Sequence, residues 1–168
     1  RDGSHYGLTL RLYQVGRSHH LMTEFRRAAR VPMERLAQVT GHSCHLSMQY
    51  AGELMITLER MPAKQLCLSV GEGATFPLWR TASGKVWLGM VSSSEREALL
   101  EVDKAFTELP PSFQERVYQV AEVARLDGFL AQRSDITDGV FDVAMPVGIY
   151  GGESAVLALS CLESAGID

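Results

Sequence analysis

The sequence predicts an α+β domain, with one antiparallel sheet of about six strands packed against helices. Three observations lead there. Helix-like and strand-like segments come in blocks, in the order α-α-β-β-β-α-α-α-β-β-β, without the β-α-β repetition that builds a parallel sheet. Short turns at Ala51-Gly52 and in "YGGES" join neighbouring strand candidates, as antiparallel hairpins require. The 168 residues suffice for one domain with a sizeable core.

Each element has its own warrant. The opening "RDGSHYG" is polar and turn-like, and "LTLRLYQVGRSHHLM" (8–22) reads as a helix of mixed polarity. A second helix is expected from Thr23, because Phe25, Ala29, Met33, Leu36 and Thr40 recur at helical spacing and Gly41 stops the run. Pro32 inside it reads as a kink or a restarted first turn. "SCHLSMQY" (43–50) and "ELMITLER" (53–60) read as a hairpin. "QLCLSV" (65–70) is a third strand candidate, turned by "GEG" (71–73). Thr81 to Val91 reads as a helix. A capping box of Ser94 and Glu97 opens another over 93–102. Ser112 and Glu115 repeat the device, with Phe113, Val117, Val120, Ala121 and Ala124 on one face and a stop at Gly128. "FLAQRS" (129–134), "VFDVAMPV" (140–147) and "AVLALSCL" (155–162) complete the strands.

Composition narrows the class. A chain 46% hydrophobic and 21% charged is globular rather than disordered. Its 16 basic and 20 acidic residues leave a net charge of −4, which argues against binding nucleic acid by itself. No apolar run approaches the roughly 20 residues that span a bilayer, and no signal-peptide pattern opens the chain, so no membrane partner is expected. Cys44, Cys67 and Cys161 are isolated and odd in number, which fits a reducing cytoplasm better than a disulfide framework.

The stretch "TFPLWRTASGKVWLG" (75–89) invites a phosphate-loop reading. That motif needs Gly at 79 and Ser or Thr at 86, where the chain has Trp79 and Val86. Gly84 then reads as a close-packing glycine and Lys85 as a solvated or capping lysine. Ser83 lacks the nucleophile elbow, and all five histidines precede residue 46. On a strand, His42 and Cys44 face one way and His45 the other, which spoils a shared metal site. His19 and His20 are adjacent and cannot converge locally, so neither metal nor cofactor is expected. Arg26, Arg27, Arg30 and Arg35 read as a solvated helix face. In "VFDVAMPV", Val140, Asp142, Ala144 and Pro146 share a face. Asp142 is then either an edge carboxylate facing water or a buried, partnered one. With Ser160 inside "AVLALSCL", it suggests an enclosed site with a few placed polar groups.

Together, "RAARVPMERLAQVTGHSCHLSM", "ELMITLER", "LCLSVGEGATFPLWRTASGKVWL" and "DGFLAQRSDITDGVFDVAMPV" resemble the effector-binding domain of the IclR family of bacterial transcription regulators. The likeness runs over about residues 6 to 162. It implies a GAF-like α+β fold that binds a small effector, without catalysis, and assembles as a homodimer or homotetramer. "HYGLTLRLYQVG" resembles the end of a winged helix-turn-helix running into a linker helix, so that residues 1–22 are wing and linker and 23–168 the effector-binding domain. The resemblance implies that DNA is met only through a domain missing from this chain, and that a closing C-terminal helix is absent after "LSCLES".

The family's pocket carries over by position. Ala82 and Ser83 would offer backbone N–H groups at a helix start. Gln132, Asp142, Ser160 and Leu162 would come from strands, and Leu68, Phe76 and Val140 would form apolar walls. The chain departs from the family pattern at Trp79, where His is common, and at Arg80, where a small residue is usual. Trp79 would enlarge or cap the site. Members that sense small keto-acids often have Cys where Asp142 stands and Ser where Leu162 stands. A carboxylate at 142 repels a close anion, so the expected effector is larger, less acidic, hydroxylated or aromatic. Two rival readings remain: a GAF-like enzyme using Cys67 or Cys161, and a pure oligomerisation module.

Overall fold

The computed structural model describes residues 20–63, 67–150 and 153–163. The expected helix over 8–22 lies outside these residues except for its last three positions. Helix α1 spans His20–Thr40, followed by strands β1 (Ser43–Tyr50), β2 (Glu53–Arg60) and β3 (Thr75–Pro77). A 3-10 turn over Leu78–Arg80 leads into α2 (Ala82–Met90), α3 (Ser93–Glu101), α4 (Lys104–Thr107) and α5 (Pro111–Asp127). Strands β4 (Leu130–Arg133), β5 (Val140–Tyr150) and β6 (Glu153–Leu162) finish the described chain. The sheet has six strands in the order β3-β2-β1-β6-β5-β4, and every neighbouring pair is antiparallel.

The two faces of the sheet carry two cores. Cys44, Leu46, Met48 and Leu58 pack with Met33 and Ala37 of α1. The opposite face, with Leu54, Ala144, Val156 and Ala158, packs under α2 and α5. Strand β2 serves both faces because its register shifts where Leu46 opposes Leu58 and Ser47 opposes Ile56. Thr57 is the extra residue, and it moves Leu54 and Ile56 to the face opposite Leu58.

Helix α2 is the buried centre, with Ala82 through Gly89 all buried. Thr81 caps it, its Oγ1 accepting from the Gly84 amide at 2.9 Å. Two glycines allow its depth. A Cβ on Gly84 would stand 2.1 Å from the Leu78 carbonyl oxygen, and one on Gly89 2.5 Å from that of Ala121 in α5. The close-packing reading of Gly84 therefore has a structural basis, and the phosphate-loop reading has none.

Several local expectations need correction. Residues 67–70 form no strand (65 and 66 lie outside the described residues), and β2 instead pairs with Thr75–Pro77. The Glu59 carboxylate takes the Val70 and Gly71 amides, which a ladder would have used. No helix starts at Thr23, because α1 runs unbroken from His20, through Pro32. Ser92, not Ser94, caps α3, accepting from the Glu95 amide at 3.2 Å. Helix α5 starts on Pro110 and Pro111 without a side-chain cap, since proline supplies the helical φ that Ser112 was expected to set up. Strand β5 continues past Pro146 to Tyr150 because a register shift between Pro146 and Gly148 absorbs the proline. Of the arginines assigned to a solvated face, Arg27, Arg30 and Arg35 are exposed, but Arg26 turns in toward Thr57 and Glu72. Among the described residues, no helix is long and apolar enough to cross a membrane.

Gly84→Ala and Gly89→Ala should each overpack α2 and cost about 1–3 kcal/mol in chemical denaturation. Ser92→Ala should cost about 1 kcal/mol and Ser94→Ala clearly less.

Candidate functional site

Between the sheet and the start of α2 lies a cavity of about 230 Å³. Its polar floor is His45, Asp142 and Ser160. Strand pairing explains the grouping. Ser160 stands opposite Asp142 on one side and opposite Ser43 on the other, and His45 follows two residues on. Ser160 Oγ donates to Asp142 Oδ1 at 2.7 Å. Asp142 is thus a partnered carboxylate at a cavity, not an edge residue facing water. Leu54, Ile56, Phe76 and Val140 make the wall apolar.

At one end, Thr81, Ala82 and Ser83 reach the cavity. Thr81 satisfies the Gly84 amide, whereas the first-turn amides of Ala82 and Ser83 have no partner within the helix. These donors and the helix dipole favour an anionic group there.

His45 is a lining residue that the sequence reading missed. Its ring is buried and Nδ1 has no hydrogen-bond partner among the described residues. Burial pushes its pKa below the ordinary 6.5, against the opposing pull of Asp142 and then Glu59. The neutral imidazole can both donate and accept. Strand alternation had put His45 on the face opposite Cys44, and the structure agrees, since Cys44 Sγ instead contacts the Met33 carbonyl. Only the β1–β6 pairing shows that this face is also that of Asp142.

A strap containing Leu68, Ser69 and Val70 also lines the cavity. Glu59 holds it, accepting from Ser69 Oγ at 3.0 Å, the Val70 amide at 2.6 Å and the Gly71 amide at 3.2 Å. Ser43 Oγ donates to the Leu68 carbonyl. Glu72 then ties the strap to α1: its Oε2 lies 2.6 Å from Arg26 Nη2, which belongs to that helix. Arg60 stands between, 3.6 Å from Glu72 and 3.4 Å from Glu34 of α1. Partial burial works against the Glu72 carboxylate, but hydrogen bonds from Arg26 and the Glu59 amide outweigh it and lower its pKa.

The sequence-derived site residues divide. Leu68, Phe76, Ala82, Ser83, Val140, Asp142 and Ser160 line this cavity. Trp79 and Gln132 line a different one. Trp79 is drawn away by the 2.9 Å bond from its Nε1 to Asp103. Gln132 reaches instead toward Lys85 and Asp135, both at 3.3 Å. Leu162, at the last position of β6, is 42% exposed and lines neither. Lys85 is buried and paired with Asp135, not solvated.

Among the described residues, no serine or cysteine that lines this cavity is hydrogen-bonded to a histidine. Ser83 and His45 share the cavity, but no hydrogen bond joins Ser83 to His45 or His45 to Asp142. Neither Cys67 nor Cys161 lines it, and burial, with Asp142 nearby, raises the Cys161 pKa. Burial pushes Cys44 up to about 11.

Residues 18–163 match the family described as bacterial transcriptional regulator IclR C-terminal. The chain belongs to the IclR family. The glycerol operon regulatory protein of Streptomyces coelicolor is 29% identical over 94% of this chain and 65% of its own length. The chain therefore spans just under two thirds of that relative. An IclR transcriptional regulator from Silicibacter sp. TM1040 shares the fold, with a TM-score of 0.81 at 18% identity over 98% of this chain and 66% of that one. An IclR homolog from Microbacterium hydrocarbonoxydans, solved in complex with 4-hydroxybenzoate, has a TM-score of 0.79 at 19% identity over 95% and 67%. The six-stranded α+β fold is that of IclR C-terminal domains.

Two outcomes test the geometry of this IclR domain. Glu59→Ala should speed amide hydrogen exchange at Val70 and Gly71, whose donors it frees. Because the folded-state pKa of His45 lies below 6.5, the unfolded chain binds more protons, and stability should fall as pH drops below that value. His45→Gln should flatten this part of the pH dependence, read by denaturant titration at about pH 5 and about pH 7.

Proposed function

We propose that this chain is the effector-binding domain of a DNA-binding transcription regulator, and that its effector is a compact hydroxylated acid, aromatic in character. The observation that carries this reading is the polarity of the cavity. One end presents the free amides of Ala82 and Ser83, and the floor presents Asp142, Ser160 and His45. A carboxylate suits the first and is repelled by the second, while a hydroxyl can donate to Asp142 or exchange hydrogen bonds with His45. A ligand with both groups is thereby oriented end to end. A cavity of roughly 150 Å³ already accepts benzene, so about 230 Å³ suits one substituted ring. The complex of the Microbacterium relative with 4-hydroxybenzoate supports a ligand of this class.

Occupancy would tighten the strap over 68–72, and Glu72, Arg26 and Arg60 would pass the change to α1. In this reading residues 1–22 are wing and linker, 23–168 the sensing domain, and a winged helix-turn-helix reads DNA. The regulator works in the cytoplasm as a homodimer or homotetramer, without catalysis or cofactor. Coupling of this kind needs a difference of about 1–3 kcal/mol between two states.

Calorimetry and thermal shift test the assignment with 4-hydroxybenzoate as probe and glyoxylate and pyruvate as contrasts. At 100 Kd the probe should add about 2.7 kcal/mol of stability. Asp142→Ala should weaken 4-hydroxybenzoate about tenfold, a loss of roughly 1.4 kcal/mol. Tight binding of glyoxylate that Asp142→Ala weakens would defeat the ligand class. A complete lack of ligand-induced stabilisation would favour an oligomerisation module.

A further inference from the structure

On the other side of α2 a second cavity, of about 460 Å³, opens between the 3-10 turn, α5 and β4. Its floor is apolar, made by Leu109, Val117 and Val120. Trp79 and Phe113 bring aromatic rings to it. The Trp79 ring is held in place by its bond to Asp103 and by packing on Phe106, centroid to centroid 6.2 Å. Phe113 is 59% exposed, so its ring is accessible from solvent.

The charges over this floor are one-sided. Lys85 is neutralised beneath it by Asp135, and Arg133 pairs with Glu163 at 3.1 Å. Arg80 and Arg116 are exposed and make no ion pair among the described residues. Two unpaired guanidinium groups thus flank an aromatic hollow on a chain of net charge −4.

We propose that this cavity is a second ligand site, separate from the effector pocket, for a small organic anion with a flat apolar body. The guanidinium fork matches carboxylate or phosphate oxygens, and the flat body lies against Trp79 and Phe113. The volume falls within the roughly 300–1,000 Å³ of small-molecule sites, which favours a metabolite over a macromolecule. The two cavities share a wall. Gln132, Arg133 and Asp135 face the second, while Ser134, Ile136 and Thr137 face the first.

The chain has two tryptophans, and Trp87 is buried in the core, so Trp79 reports on this cavity. The probes are 2-naphthoate and 2-naphthyl phosphate, followed through the indole N–H resonance of Trp79 in isotope-labelled protein. Saturable shifts of that resonance by either anion support the site, and the tighter probe names its headgroup. Arg80→Ser and Arg116→Ser, both at exposed positions, should each weaken binding at least tenfold without changing the melting temperature. Asp142→Ala should leave it intact, which separates this site from the effector pocket. Equal binding of neutral 2-naphthol, indifference to both arginine substitutions, or loss of binding on Asp142→Ala would overturn the proposal.

Discussion

The depth at which α2 sits governs much of this structure. Gly84 lets its first turn touch the Leu78 carbonyl, and Gly89 lets its last turn touch that of Ala121. A side chain at either point would push the helix away from the 3-10 turn or from α5. The helix start would then leave the cavity, taking the free amides of Ala82 and Ser83 with it. The same helix divides the two cavities, with Ser83 facing one and Lys85 the other.

The central β1–β6 pairing is the second constraint. It joins an N-terminal hairpin to a C-terminal one, and in doing so brings His45 and Ser43 beside Ser160 and Asp142. The polar floor is therefore a product of sheet order, not of any local motif. The shift at Thr57 adds to it, turning Leu54 and Ile56 toward the cavity while Leu58 stays under α1.

Carboxylates hold the strap where the sequence suggests a third long strand. Glu59 satisfies backbone donors that would otherwise be unpaired, and Glu72 connects the strap to Arg26 on α1. Buried backbone amides must be paired, and here a side chain displaces the ladder in that task. The strap thereby joins cavity and helix through charge-assisted contacts, which are stronger and more directional than apolar packing alone.

The sequence by itself determined the α+β class, the hairpins, most helices and the family, because these depend on local periodicity, turn chemistry and ordered motifs. It also pointed to Asp142 and Ser160, since a carboxylate and a hydroxyl inside apolar strands are visible in one dimension. It misplaced the caps at Ser94 and Ser112, because neighbouring serines and prolines compete for one helix start and tertiary fit chooses among them. Only the tertiary structure decided that His45 joins the floor, that Trp79 and Gln132 serve another cavity, and that Lys85 is buried with Asp135. Those outcomes depend on contacts between residues distant along the chain, where strand order and long side chains, not sequence spacing, set which groups meet.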